Sequence, residues 1–239
     1  MKRYIIFLLT AFFCTYASAA ISIYPIEVSV GNSGASKIEV MSQSDKVAFV
    51  KVVVKKIVNA GTPLEKEIDV DAPDESGLIA TPMKLAVTAG ATRVVRLVNL
   101  NPPEKESTWR VYFEEVNAEE YESGPGQVKK NKKDASVSVN IIWGALVHLL
   151  PSVQTTKLDL NEKTFEFTNT GTVRIALNEI GECTSEKDCN WSKIGGTIYP
   201  GSRMKIKSFI YHPEKNYRIK IKNLINGKVD EIPVNIIRG

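Results

Sequence analysis

ASVSVNIIWGALVHLLP, residues 135–151, decides the fold. Ala135, Val137, Val139, Ile141 and Trp143 are apolar, while Ser136, Ser138 and Asn140 between them are polar. This period-two alternation marks a β-strand with one wet and one dry face. From Ile142 to Leu150 the alternation gives way to an apolar run broken only by Gly144 and His148, as when a strand passes from an edge into a buried position. Pro151 ends it, and a charged segment, 119–134, leads into it and reads as a flexible loop. A long strand entered in this way presents a β-branched edge, which a protein either covers itself or lends to another chain.

The sequence upstream reads as a series of short strands. AISIYPIEVSV (20–30) carries Pro25, which places it at an edge or a switch point. Segments 37–40, 47–56, 78–80, 84–87, 92–98 and 109–116 are rich in β-branched and aromatic residues and separated by Gly, Pro, Ser and Asn clusters. No amphipathic helix of normal length interrupts them. Downstream of Pro151 the pattern restarts with strands at 156–160, 164–168, 173–179, 196–199, 203–210, 217–224 and 229–237, and Asn226-Gly227 is a hairpin signal. The expected fold class is all-β, two β-sandwich domains, with domains at 20–152 and 153–239.

The chain opens with Lys2 and Arg3, an apolar run from Tyr4 to Phe13, and Ala17-Ser18-Ala19. These are the three regions of a secretory signal over residues 1–19, and the run is too short to span a bilayer. Without Lys2 and Arg3 the formal charge falls from +4 to +2, which gives no reason to expect nucleic acid as a partner. Cys183 and Cys189 remain, six positions apart, and in an exported protein they most economically form one local disulfide. A zinc site would want two more ligands at regular spacing, which His148 and His212 do not supply, so no metal or other cofactor is expected. No Gly-x-Ser-x-Gly, no Asp/His cluster and no phosphate loop is present, so neither catalysis nor a small-molecule substrate is expected.

IATPMKLAVTAGATRVVRLVNLNPPEKESTWRVYFEEV (79–116), together with IYPI, SVNIIW and NTGTVR, resembles the periplasmic pilus chaperones of the chaperone–usher pathway, closest to the class 5 branch of colonisation-factor fimbriae. The resemblance spans the mature chain and implies two immunoglobulin-like sandwiches arranged in an L. It implies a periplasmic protein that lends its long strand to a fimbrial subunit lacking one, prevents that subunit's aggregation, and delivers it to the outer-membrane usher. Ala135, Val137, Val139 and Ile141 match the family's donor residues; the alternative is that they pack in the protein's own core. The family's Arg and Lys for the subunit's terminal carboxylate are not carried over, because their positions hold Glu27 and Leu146. His148 is the first replacement candidate, with a buried neutral histidine as its alternative, and Arg174 is the second. Arg93, Arg96 and Arg110 are expected to be structural, with Glu114 and Glu115 as available partners. The rival function is a secreted fimbrial subunit or adhesive sandwich protein.

Overall fold

The computed structural model describes residues 20–31, 34–70, 77–123, 141–185, 188–207, 209–224 and 227–238. The signal at 1–19, the residues Ala135, Val137 and Val139, and Asn226 of the expected hairpin turn lie outside the described residues. The first ten strands are β1 (Ile21–Tyr24), β2 (Glu27–Val30), β3 (Ala35–Ser42), β4 (Ala48–Val58), β5 (Lys66–Asp69), β6 (Leu78–Thr81), β7 (Lys84–Val87), β8 (Thr92–Asn99), β9 (Ser107–Val116) and β10 (Ile142–Leu149). They form two sheets, ordered β1-β3-β8-β6 and β2-β10-β9-β4-β5, with β7 also paired to β4. Inward positions alternate as the pleat requires. Ile21, Ile38, Val40, Val95 and Leu97 from one sheet meet Val50, Val52, Trp109, Val111, Phe113 and Val147 from the other, all essentially inaccessible to water.

Prolines mark the places where the chain changes sheet. β1 pairs with β3 and β2 pairs with β10, and the switch between them falls at Pro25. β6 pairs with β8 and β7 with β4, and Pro82 lies between. A residue without an N–H suits a point where one ladder stops and another begins. The expectation for Pro25 drawn from the sequence thus has a structural counterpart.

After Pro151 come β11 (Leu158–Asn161), β12 (Glu166–Asn169), β13 (Ile175–Cys183), β14 (Cys189–Lys193), β15 (Thr197–Ile198), β16 (Arg203–Lys205), β17 (Asn216–Lys222) and β18 (Val229–Ile237). Their order is β14-β13-β17-β18-β11-β12-β16, with β15 on β13. β18 is the hinge of this sandwich: Val229–Pro233 pairs with β17 and Val234–Ile237 with β11, so Pro233 is a third switch proline. Leu158, Leu160, Phe167, Ile175, Ile180 and Ile219 fill a second core, separate from the first.

Three local readings of the sequence differ from the structure. The segment expected to be a loop from Glu119 begins as a helix, α1 (Ala118–Glu122), because the Asn117 side chain accepts from the Glu120 N–H at 2.8 Å and Glu119 and Glu120 sit in the first turn. Its end is fixed by Lys84, whose Nζ donates to the Tyr121 and Ser123 carbonyls at 2.7 Å each. Arg110 pairs with Glu67 at 3.3 Å rather than with Glu114 or Glu115, since Glu67 comes across from β5, a strand the sequence pattern did not reveal. β14 was likewise not anticipated; it runs back along β13 from the Cys183–Cys189 disulfide.

That disulfide joins directly opposed residues and closes a short loop, so chain entropy assigns it about 2 kcal/mol. Replacing both cysteines with serine lowers the melting temperature of the second sandwich by several degrees without changing its fold. Calorimetry of the variant beside the parent checks this, and an unchanged melting temperature contradicts it.

Candidate functional site

β10 is paired unequally on its two sides. β9 runs antiparallel to it over its whole length, from Ile142 opposite Glu114 to Leu149 opposite Ser107. β2 runs parallel to it and covers only Leu146 to Leu149; the Leu146 N–H donates to the Ile26 carbonyl at 2.8 Å, and there the pairing begins. Among the described residues, no strand pairs with the other edge of Ile142–Ala145. Burial falls in the same direction. Leu149, Val147 and Ala145 are 1% exposed or less, Trp143 is half-buried, and Ile141 and Ile142 are 47% and 52% exposed. Ile26, exposed at 62%, precedes β2 at the end of this open edge. Of the four expected donor residues, Ile141 is the one described, and it stands in water.

Gly144, Leu146 and His148 face the outer side of the sheet, opposite the core-facing Ala145 and Val147. Gly144 lets the Tyr112 ring lie against the strand, and Tyr112 donates from its hydroxyl to Glu67 at 2.7 Å. At the far end His148 is wholly buried beneath the second sandwich, its ring centroid 6.2 Å from that of Tyr199. Tyr199 in turn packs on Gly61 in the β4–β5 loop. A methyl group there would come within 2.7 Å of the ring, and φ at Gly61 is +71°, so the position suits glycine on two counts.

The centre of the cleft is Glu106, whose side chain has no exposure to water. One of its oxygens meets Nη1 of Arg174 and, at 3.1 Å, Nδ1 of His148; the other accepts from the Arg174 backbone N–H at 2.9 Å. Arg174 reaches further with Nη2, to Glu27 at 3.2 Å and the Ser29 hydroxyl at 3.4 Å. Nε2 of His148 lies 3.4 Å from the same Glu27 oxygen but has no hydrogen-bond partner. Burial pushes the Glu106 carboxyl up, but the hydrogen bond with His148, the charge of Arg174 and the Arg174 N–H outweigh it and hold the group below the usual glutamate value of 4.5.

The NTGTVR segment, singled out in the sequence, lashes the connection between the sandwiches. The Thr172 hydroxyl donates to the Val153 carbonyl and accepts from the Thr155 N–H, both at 2.8 Å, while the Thr172 N–H donates to the Thr155 carbonyl at 2.9 Å. The Thr172 carbonyl accepts from the Glu106 N–H at 2.8 Å, which carries the lashing across to the first sandwich. Asn169, fully buried, holds the segment's shape by donating to the Val173 and Ile198 carbonyls at 2.8 Å each. His148 and Arg174, separate candidates in the sequence, therefore lie on one carboxylate. Glu106, Tyr199 and Thr172 were not anticipated. A glutamate in the polar PPEKES turn has no periodic signature, and NTGTVR drew notice for its family resemblance and Arg174 rather than for Thr172.

Because Glu106 titrates lower in the folded protein, its contribution to stability is complete above the ordinary glutamate range and is lost as pH falls below it. Glu106→Gln should lower stability at pH 7 by about 3–5 kcal/mol, the scale for breaking a buried ion pair. The deficit should shrink as the pH drops below about 4.5, where the unfolded parent takes up a proton that the folded carboxylate accepts only at lower pH. Thermal melts of parent and variant at neutral and acid pH test both statements, and a deficit independent of pH contradicts the assignment.

No family model matches the chain. A CFA/I fimbrial protein of Escherichia coli, which bears the name of a fimbrial subunit, is 36% identical over 191 residues, covering 77% of this chain and 78% of its own length. The crystal structure of the class 5 fimbriae chaperone CfaA aligns at 29% identity with a TM-score of 0.71, covering 90% of this chain and 98% of the other. A chain from a chaperone–tip adhesin complex of CFA/I fimbriae biogenesis aligns at 29% identity with a TM-score of 0.69, covering 90% of this chain and all of the other. An alignment over nine-tenths of the chain takes in both sandwiches, so a chaperone structure accounts for the whole architecture even though the sequence relative carries a subunit's name. The chain belongs to the family of periplasmic fimbrial chaperones of the chaperone–usher pathway, in its class 5 branch.

Proposed function

We propose that this protein is a periplasmic chaperone that holds a fimbrial subunit by lending it a strand, keeps it from aggregating, and passes it to the outer-membrane usher. The observation that carries this reading is the half-covered edge of β10, with its ladder groups open over Ile142–Ala145 and exposed Ile26, Ile141 and Ile142 beside them. A subunit lacking one strand of its own sandwich would pair along this edge and receive the alternating side chains of Ala135, Val137, Val139 and Ile141. The same physics that makes an unpaired edge an aggregation hazard makes it a docking site for one chain of matching shape. The chain divides into domains at 20–152 and 153–239, and Arg174 and His148, at the end of the open edge, receive the subunit's terminal carboxylate. The protein has no catalytic role.

The name of the sequence relative favours a second reading, a fimbrial subunit. Co-expression separates the two readings. A chaperone purifies from the periplasm as a soluble one-to-one complex with a smaller subunit that aggregates when expressed alone, whereas a subunit instead requires a chaperone for its own solubility.

Burying each of Val137, Val139 and Ile141 in a subunit groove contributes roughly 1.5–3 kcal/mol as an upper estimate, and a carboxylate buried there without a partner cancels that gain. Val137→Asp should therefore leave the melting temperature of the free chaperone within a few degrees of the parent and abolish recovery of the complex. Ser136→Asp, on the other face, should be much milder. If Val137→Asp unfolds the free protein, the valines belong to its own core and strand lending is wrong.

A further inference from the structure

Among the described residues, the cleft places one permanent cation between two carboxylates. Arg174 spends its Nη1 and backbone N–H on the inaccessible Glu106, which leaves Nη2 for an oxygen of Glu27. The Glu27 side chain is 52% exposed, so it reaches the cluster from the rim and does not belong to the buried core of the interface. Nε2 of His148 points at the same Glu27 oxygen from 3.4 Å without completing a hydrogen bond, although the ring has no exposure to solvent. Nη2 of Arg174 and the ring of His148 therefore border a position that a half-exposed rim carboxylate occupies.

The backbone explains why this position matters. Glu27 stands in register with Leu146 at the start of β2, and β2 begins where the open edge of β10 ends. A guest strand laid along Ile142–Ala145 would be collinear with β2 and would bring its end to Glu27. If its terminal carboxylate arrived while Glu27 stayed in place, three carboxylates would crowd one guanidinium. If Glu27 swung into water, one carboxylate would replace another and the charge of the cluster would not change. Since half of the Glu27 side chain already touches solvent, that movement exposes little that was buried.

We propose that Glu27 is a resident occupant of the carboxylate seat at Nη2 of Arg174, beside the buried ring of His148, and that a bound chain's terminal carboxylate takes the seat by displacing it. This rests on the reading of Arg174 and His148 as the subunit's anchor. The exchange makes the seat selective. A free carboxylate in solution must compete with a tethered one, whereas a terminus already held by strand pairing arrives at high effective concentration. Glu27 is thereby a specificity-determining residue: it admits carboxylates delivered along β10 and turns away those that are not.

The probe is acetyl-Thr-Val-Thr-Val-Thr, prepared with a free carboxyl terminus and as the amide, titrated by NMR into the full mature protein and into Glu27→Ala and Glu27→Gln. Salt at about 0.5 M shortens electrostatic screening to a few ångströms, so that only contact effects remain. The free acid should bind Glu27→Ala about tenfold tighter than the parent, the scale of one hydrogen bond to a charged group, while the amide binds both equally. Glu27→Gln, which keeps the side-chain shape, should give part of the same gain. Equal affinity of the acid for parent and Glu27→Ala, weaker or undetectable binding to Glu27→Ala, or an equal gain for the amide each overturns the proposal. The anchor reading fails separately. If Arg174→Gln, which can still donate to Glu106 but carries no charge, stays folded by its melting curve and recovers as much subunit from the periplasm as the parent, the subunit is not anchored there whatever the peptides show.

Discussion

A carboxylate that no water can reach must be neutralised where it stands, and Glu106 is such a group. Its partners come from both sides of the cleft: His148 from β10 of the first sandwich, and the side chain and backbone of Arg174 from the second. Separating the sandwiches would strand this charge, so their contact includes an electrostatic requirement that neither core alone supplies. Tyr199 against Gly61, and Thr172 against Glu106 and Val153, then fix the contact at points around it. The end of β10 that meets this charge is buried, with His148 set among apolar neighbours, while Ile141 and Ile142 at the opposite end are about half exposed. A strand fixed at one end and open at the other is the form that lending it requires.

The sheet switches serve the same end. Pro25 takes the chain from the β1–β3 pairing to the β2–β10 pairing, so β2 starts only at Glu27 and leaves the edge of Ile142–Ala145 uncovered. If β1 continued straight into a longer β2 without the break, the edge would be closed by the protein's own backbone. Elsewhere the first sandwich protects its edges with short strands such as β5 and β6, and the outermost strand of the second, β16, carries Arg203 and Lys205. The open stretch differs from these edges in belonging to a long strand and in being apolar and uncovered among the described residues.

Much of the fold was legible because its signals are local. The apolar run of 142–150, the β-branched runs and the proline positions each act within a few residues, and together they yielded the all-β class and most strands. Short strands lacking strong alternation, β5 with KEID and β14 with CNWSK, were not legible, because their pairing partners rather than their composition make them strands. α1 escaped notice because five residues are too few for a periodic pattern, and its cap, Asn117, reads equally well as a turn residue. The site divides in the same way. His148 stood out as the polar residue in an apolar run and Arg174 through the NTGTVR context, but Glu106 is one of two glutamates in PPEKES, and nothing local distinguishes the one that becomes buried.

The replacement of the family's basic pair by Glu27 and Leu146 takes on meaning once Glu106 is in view. A second permanent cation on β2 or at position 146 would lie beside Arg174, and the cleft would then hold two positive charges against one buried carboxylate, an arrangement that favours an incoming anion but repels itself when empty. In this chain the cation comes from the second sandwich and is neutralised from within, so the empty cleft is electrostatically settled and the domains stay docked without a guest. The corollary is that a guest carboxylate gains little from charge alone. If the strand is lent as proposed, that advantage comes from geometry, from delivery by a chain already paired along β10, and the open edge and the cleft then act as one site in which pairing precedes anchoring.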